Sequence, residues 1–188
     1  MKIMYCILLV LCLASPGLQA IDISGNVSGT WTPAEVYDII GDVTVPSGET
    51  LTVLPGVIVM ARGNFRITVQ GTIQANGTVA DSIYFRNGQA NPDALWKGIR
   101  LENPSLNSSF GFCYIENGEY GINSIASPVQ ISNSHFNRNT KGIHAYGIGH
   151  ANPGAVEISY CKIEYSGENG ILISQSSNTI VSYCDISN

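Results

Sequence analysis

Two glutamates, Glu116 and Glu164, stand at the same point of a repeated phrase, and Asn137 holds that point in the copy between them. A pair of carboxylates is the equipment of glycoside hydrolysis, one protonating the leaving oxygen while the other activates water or attacks directly. Two coils apart in a stacked repeat, they would lie about 10 Å from each other, at the upper limit for an inverting pair. The same spacing follows from any repeat with Glu at this position, so solvated turn residues are the plainer reading. Arg138 and Lys162 are the basic residues available to abstract a proton α to a uronate carboxyl, but no cluster of close carboxylates of the kind that holds calcium accompanies either. His135, His144 and His150 lack metal-ligand spacing within a single strand, and His135 reads as a surface residue of the repeat.

The phrase itself comes back four times, as Phe112-Cys113-Tyr114-Ile115, Asn133-Ser134-His135-Phe136, Tyr160-Cys161-Lys162-Ile163 and Tyr183-Cys184-Asp185-Ile186. Its small residue recurs at steps of 21, 27 and 23 residues, and Gly121-Ile122, Gly142-Ile143 and Gly170-Ile171 follow it in fixed phase. Two markers in phase define a structural repeat, in which residues at one repeat position stack as a column. Cys113, Ser134, Cys161 and Cys184 then form an inward column of small groups rather than a disulfide framework or a zinc site. Ile115, Phe136, Ile163 and Ile186, with Ile122, Ile143 and Ile171, supply the core. Tyr114, His135, Lys162 and Asp185 form one outward column, and Glu116, Asn137, Glu164 and Ser187 the next. The outward columns are the candidate ligand-binding surface.

Upstream, short alternating runs point to strands: Val43–Val45, Leu51–Val53, Val57–Met60, Phe65–Val69, Thr72–Ala75 and Ile83–Phe85. Most are separated by turn formers such as Pro46-Ser47-Gly48, Pro55-Gly56 and Asn76-Gly77. No helical periodicity interrupts them, which indicates an all-β fold. Thr32 with Pro33 could open a short helix, and residues 21–38 read as an N-terminal cap over the first strand edge. Residues 86–96 are a polar interruption ending in Trp96, which either covers a turn or offers a platform for stacking on sugars. A second excursion runs from Tyr146 to Gly154.

The run Val43-x-Val45-Pro46-x-Gly48-x-x-Leu51-Thr52-Val53-x-Pro55-Gly56-Val57 resembles the opening coils of secreted bacterial right-handed parallel β-helix proteins of the pectin-lyase-like superfamily. So do Ile67-x-Val69-x-Gly71-x-Ile73-x-Ala75-x-Gly77-Thr78 and Trp96-x-Gly98-Ile99. The resemblance covers most of the chain and implies the fold, a right-handed β-helix over residues 39–188, incomplete at its C-terminal end. It does not imply an activity, because the superfamily includes lyases, hydrolases, epimerases and adhesins. The acidic pattern of the lyases is missing here, and no catalytic residue carries over.

Residues 1–20 read as a signal peptide: Lys2, the apolar run Ile7–Leu13, and a small-residue ending at Ala20. No later segment approaches the roughly 20 apolar residues of a membrane-spanning helix. With 9 Lys and Arg against 14 Asp and Glu, a formal net charge of −5, the chain is a poor partner for nucleic acid. These features lead to the expectation of a secreted or cell-surface β-helix scaffold, or a carbohydrate-associated module, without a catalytic site. Its partners would be polysaccharide or a surface protein, and it would need no cofactor. The alternatives are a polysaccharide lyase, with calcium, or a glycoside hydrolase whose catalytic coils lie partly beyond Asn188, and an adhesin stalk.

Overall fold

Alternation of period two places every second side chain of a strand on one face. In Thr50–Val53, Arg66–Val69 and Val129–Ser132 the buried positions alternate accordingly. A computed structural model describes residues 19–102, 108–147, 155–176 and 178–187. Residues 1–18, which hold most of the expected leader, and His150 lie outside the described residues.

The chain enters through β1 (Gln19–Asn26), β2 (Gly29–Trp31), β3 (Glu35–Val45) and β4 (Thr50–Val53). Coils of three strands follow: β5 (Ile58–Ala61), β6 (Arg66–Val69) and β7 (Thr72–Asn76); β8 (Ile83–Asn87), β9 (Gly98–Glu102) and β10 (Ser108–Gly111). Next come β11 (Cys113–Glu116), β12 (Tyr120–Ile125) and β13 (Val129–Ser132), then β14 (His135–Asn137), β15 (Lys141–Tyr146) and β16 (Val156–Ser159). The described chain ends through β17 (Lys162–Glu164), β18 (Asn169–Ser174), β19 (Thr179–Ser182) and β20 (Asp185–Ser187).

Every pairing between these strands is parallel and joins strands one coil apart. The result is an all-β, nearly closed solenoid with three faces, free of helices among the described residues. The first face stacks β5, β8, β11, β14, β17 and β20; the second stacks β6, β9, β12, β15 and β18; the third runs from β2 through β4, β7, β10, β13 and β16 to β19. β3 passes unbroken from the first face to the second, pairing with β5 through Val36–Ile39 and with β6 through Val43–Val45.

The N-terminal region differs from expectation. No helix starts at Thr32: Pro33 and Ala34 form a turn, the Thr32 amide donates to the Tyr37 hydroxyl at 2.8 Å, and β3 begins at Glu35. β1 lies in register along β3, Gln19 on Glu35 through Ile23 on Ile39, so residues 21–38 are largely strand. The helix signal failed because Tyr37 stacks on Trp31, ring centroids 4.5 Å apart, and both rings are buried in the end of the core.

Inward side chains of all three faces fill the interior. Ile39, Val45, Leu51, Ile67, Ile73, Phe85, Ile99, Phe110, Ile115, Ile122 and Phe136 are fully enclosed, and each such burial stabilises by roughly 1.5–3 kcal/mol. The core fades along the last described coil, where Ile171 is only partly buried and Ile186 is 51% exposed.

Corners turn in one or two residues through the left-handed region. Phe112, Asn133, Tyr160 and Tyr183, with φ between 50° and 53°, form the corner into the first face, and Asn117, Arg138 and Tyr165 the corner out of it. A non-glycine residue here costs roughly 1–2 kcal/mol. The cost is offset because the corner amides still reach the next coil: Asn133 N donates to Ser159 O and Arg138 N to Glu164 O, both at 3.1 Å. Asn139, buried inside the second corner, accepts from Gly118 N at 2.9 Å and donates to Ile115 O at 3.0 Å, closing two backbone groups that would otherwise be unpaired.

Candidate functional site

Parallel register fixes which outward side chains meet. Tyr114 pairs with His135 and Glu116 with Asn137; His135 pairs with Lys162 and Asn137 with Glu164; Lys162 pairs with Asp185. One coil earlier, Tyr84 pairs with Tyr114. The first face thus carries an aromatic and basic column, Tyr84, Tyr114, His135 and Lys162, ending in exposed Asp185. The neighbouring column holds Arg86, Glu116, Asn137 and Glu164.

The two columns are tied together. Tyr84 and Tyr114 have ring centroids 5.8 Å apart, His135 meets Tyr114 edge to face at 4.6 Å, and Arg86 lies over the Tyr84 ring at 4.7 Å. Arg86 Nε also pairs with Glu116 Oε1 at 3.4 Å, and Asn137 Nδ2 donates to the Tyr114 hydroxyl at 3.0 Å. Glu164 takes two partners at once, His135 Nε2 at 2.7 Å and Lys162 Nζ at 2.6 Å.

These contacts set the protonation chemistry. The Lys162 hydrogen bond, aided by His135, holds the Glu164 carboxyl below its ordinary range. The same bond raises the Lys162 ammonium. Burial, helped by Glu116, raises the Tyr114 phenol. A general acid needs a raised carboxyl and a general base a lowered amine. Glu164 and Lys162 are displaced the other way. Glu116 and Glu164 are held two coils apart with Asn137 between them, each engaged with a cation rather than with the other.

Trp96 does not present a platform. Its side chain is 1% exposed, its Nε1 donates to Glu116 O at 2.9 Å, and its backbone bridges to Gly118. The loop 88–95 closes over this point, with Asn117 Nδ2 donating to Pro92 O at 2.8 Å. Beside it opens a polar cleft of about 250 Å³ lined by Asn87, Gln89, Pro92, Glu116, Asn117 and Arg138. Sequence reasoning missed Tyr84, Arg86 and this cleft. The phrase Ile83-Tyr84-Phe85 has an outward aromatic like the next copy at Tyr114, but Ile stands where the later copies have Cys or Ser, and that hid its phase.

The small-residue column is interior. Ser134 Oγ accepts from Cys113 N at 3.0 Å and donates to Ser132 O at 2.8 Å. The thiols donate back to carbonyls, Cys113 to Ala75 O at 3.3 Å and Cys161 to Ser159 O at 3.3 Å. Burial pushes the Cys161 thiol up to about 11, and raises Cys113 further. Both therefore ionise reluctantly, which slows them as nucleophiles and metal ligands. Among the described residues no group of three or more His, Cys, Asp or Glu gathers as a metal would require. On the second face, His144 lies between Tyr120 and Tyr146 and accepts or donates at Ser174 Oγ, 2.9 Å from Nε2, with its ionisation lowered by burial.

Fold and surface together define a class, an all-β parallel solenoid with a cross-linked polar and aromatic ladder on one face. Comparison of the chain with protein-family models, with curated proteins and with solved structures finds no match in any of the three.

Proposed function

We propose that the chain is a right-handed parallel β-helix that acts outside the cell as a carbohydrate-associated scaffold, without a catalytic site of its own. The observation that carries this reading is the first-face ladder of Tyr84, Tyr114, His135 and Lys162 beside Arg86, Glu116, Asn137 and Glu164. Coils repeat at about 4.8 Å, close to the length of one pyranose unit in an extended chain. Successive rungs can therefore face successive sugars. Aromatic rings meet their C–H faces, and planar amide, carboxylate and guanidinium groups meet their hydroxyls. Right-handedness is supported by the strong preference of strand–crossover–parallel strand connections for that hand. The leader-like start of the sequence supports export.

The enzyme reading, a polysaccharide lyase or glycoside hydrolase, has one observation in its favour: Glu116 and Arg138 line the same polar cleft. The displaced ionisation of Glu164 and Lys162 weighs against it.

A glycan array that includes polyuronates tests the proposal. The chain is expected to bind one class of extended polysaccharide and to release no unsaturated uronate product. Absence of binding to every glycan would overturn the scaffold reading, and turnover abolished in Glu116→Gln or Glu164→Gln would replace it with the enzyme.

A further inference from the structure

The inward column of three thiols and one hydroxyl is unevenly spaced, and the spacing decides which sulfurs can meet. Ser134 separates Cys113 from Cys161, leaving their backbones two coils, about 10 Å, apart. That is beyond the reach of a disulfide. Cys161 and Cys184 are on consecutive coils, because the residues on either side of them pair: Ser159 with Ser182 and Lys162 with Asp185. Backbones one coil apart sit at about 4.8 Å, within the Cα separation of roughly 4.4–6.8 Å that a disulfide spans. Their side chains also turn the same way. Cys161 Sγ lies 3.3 Å from Ser159 O and 3.8 Å from Ile131 O, and Cys184 Sγ lies 3.3 Å from Ser182 O and 3.8 Å from Ile158 O.

We propose that Cys161 and Cys184 are a modification site, closing to a coil-to-coil disulfide that staples the corner before β20 to the corner before β17. The oxidant is a small-molecule disulfide of the glutathione class. Cys184 is partly exposed while Cys161 is buried, which orders the steps. The Cys184 thiolate attacks oxidised glutathione, breaking its S–S bond, releasing one glutathione as thiolate and leaving a mixed disulfide on Cys184. Cys161 then loses its proton to solvent and attacks the Cys184 sulfur, expelling the second glutathione. Two protein thiols are oxidised and one oxidised glutathione becomes two reduced molecules. Cys161 ionises reluctantly, since burial pushes it up to about 11, so the second step is the slow one. Cys113, buried with no thiol in reach, stays reduced.

The test is incubation of the full chain with oxidised glutathione, followed by tryptic mass mapping and amide hydrogen exchange. Trypsin cuts after Lys141 and Lys162, so the two cysteines leave in separate peptides, 142–162 and 163–188. The expected result, on chain that stays monomeric on a non-reducing gel, is the two peptides linked, two hydrogens lighter than their sum. The amides of β20 should exchange at least about tenfold more slowly, an effect undone by dithiothreitol and retained in Cys113→Ser. Glutathione remaining on Cys184, a Cys184 link between two chains, both thiols still open to alkylation, or unchanged exchange in β20 would each overturn the proposal.

Discussion

Glu164 holds Lys162 and His135 on a solvent-facing rung, and its ionisation makes that arrangement measurable. Its folded carboxyl titrates below its ordinary value of 4.5, so its contribution to stability is complete above pH 4.5 and is lost as pH falls through the folded value. Lys162 is raised above 10.5, so its contribution is complete below pH 10.5 and disappears as pH rises through its folded value. The difference in unfolding midpoint between the native chain and Glu164→Gln should therefore shrink as pH falls through the folded carboxyl value and as pH rises through the folded Lys162 value. A difference that persists undiminished once the carboxyl is fully protonated would contradict the pairing. Asn139 is the opposite kind of residue, buried and bonded only to backbone. Asn139→Ala leaves one amide and one carbonyl unpaired, and equilibrium denaturation should show a loss of about 2–4 kcal/mol. The facing of Tyr114, His135, Lys162 and Asp185 was legible in the sequence because period and phase determine it. The choice between the two readings of Trp96 was not, since it depends on the chain returning at Glu116–Glu119 to meet the loop 88–95.

At the level of elements, the two recurring phrases have different physical causes. The Cys or Ser phrase marks a corner whose leading residue sits at positive φ and whose second residue fills the space inside the turn. The Gly-Ile phrase marks a close approach between coils. A methyl group on Gly121 would come 2.5 Å from Gly142 O and 2.7 Å from a Phe136 ring carbon, and one on Gly142 would press on Gly170 O and lie 2.8 Å from Ile163 Cγ2. Gly142→Ala should therefore destabilise the chain by about 1–3 kcal/mol through overpacking. Amide exchange should speed first in β12, β15 and β18, the strands stacked at that level. Strands β4 to β8, and the Val43–Val45 end of β3, were legible from alternation alone. The reading of Thr32-Pro33 as a helix start failed because the pair satisfies the local rules, while the stacking of Trp31 on Tyr37 commits the segment to strand.

Across the whole molecule, the repeat converts one local pattern into a long face on which side chains distant in sequence stand a coil apart. Tyr84 and Lys162 belong to one column although 78 positions separate them in the chain. That column follows from register, which explains why the architecture could be read from spacing. The cleft beside Arg138 could not, because a loop insertion rather than the repeat shapes it. The proposed function requires the ladder to bind an extended glycan and leave it intact. Calorimetric titration of the best-binding array glycan into the native chain and into the Tyr114→Ala, His135→Ala double variant tests it most directly. Loss of the ring face and its edge-to-face partner should weaken binding at least about tenfold, with the fold unchanged by circular dichroism and the glycan recovered at its original length. Equal affinity in the two proteins, or a shortened glycan after incubation with the native chain, would contradict it.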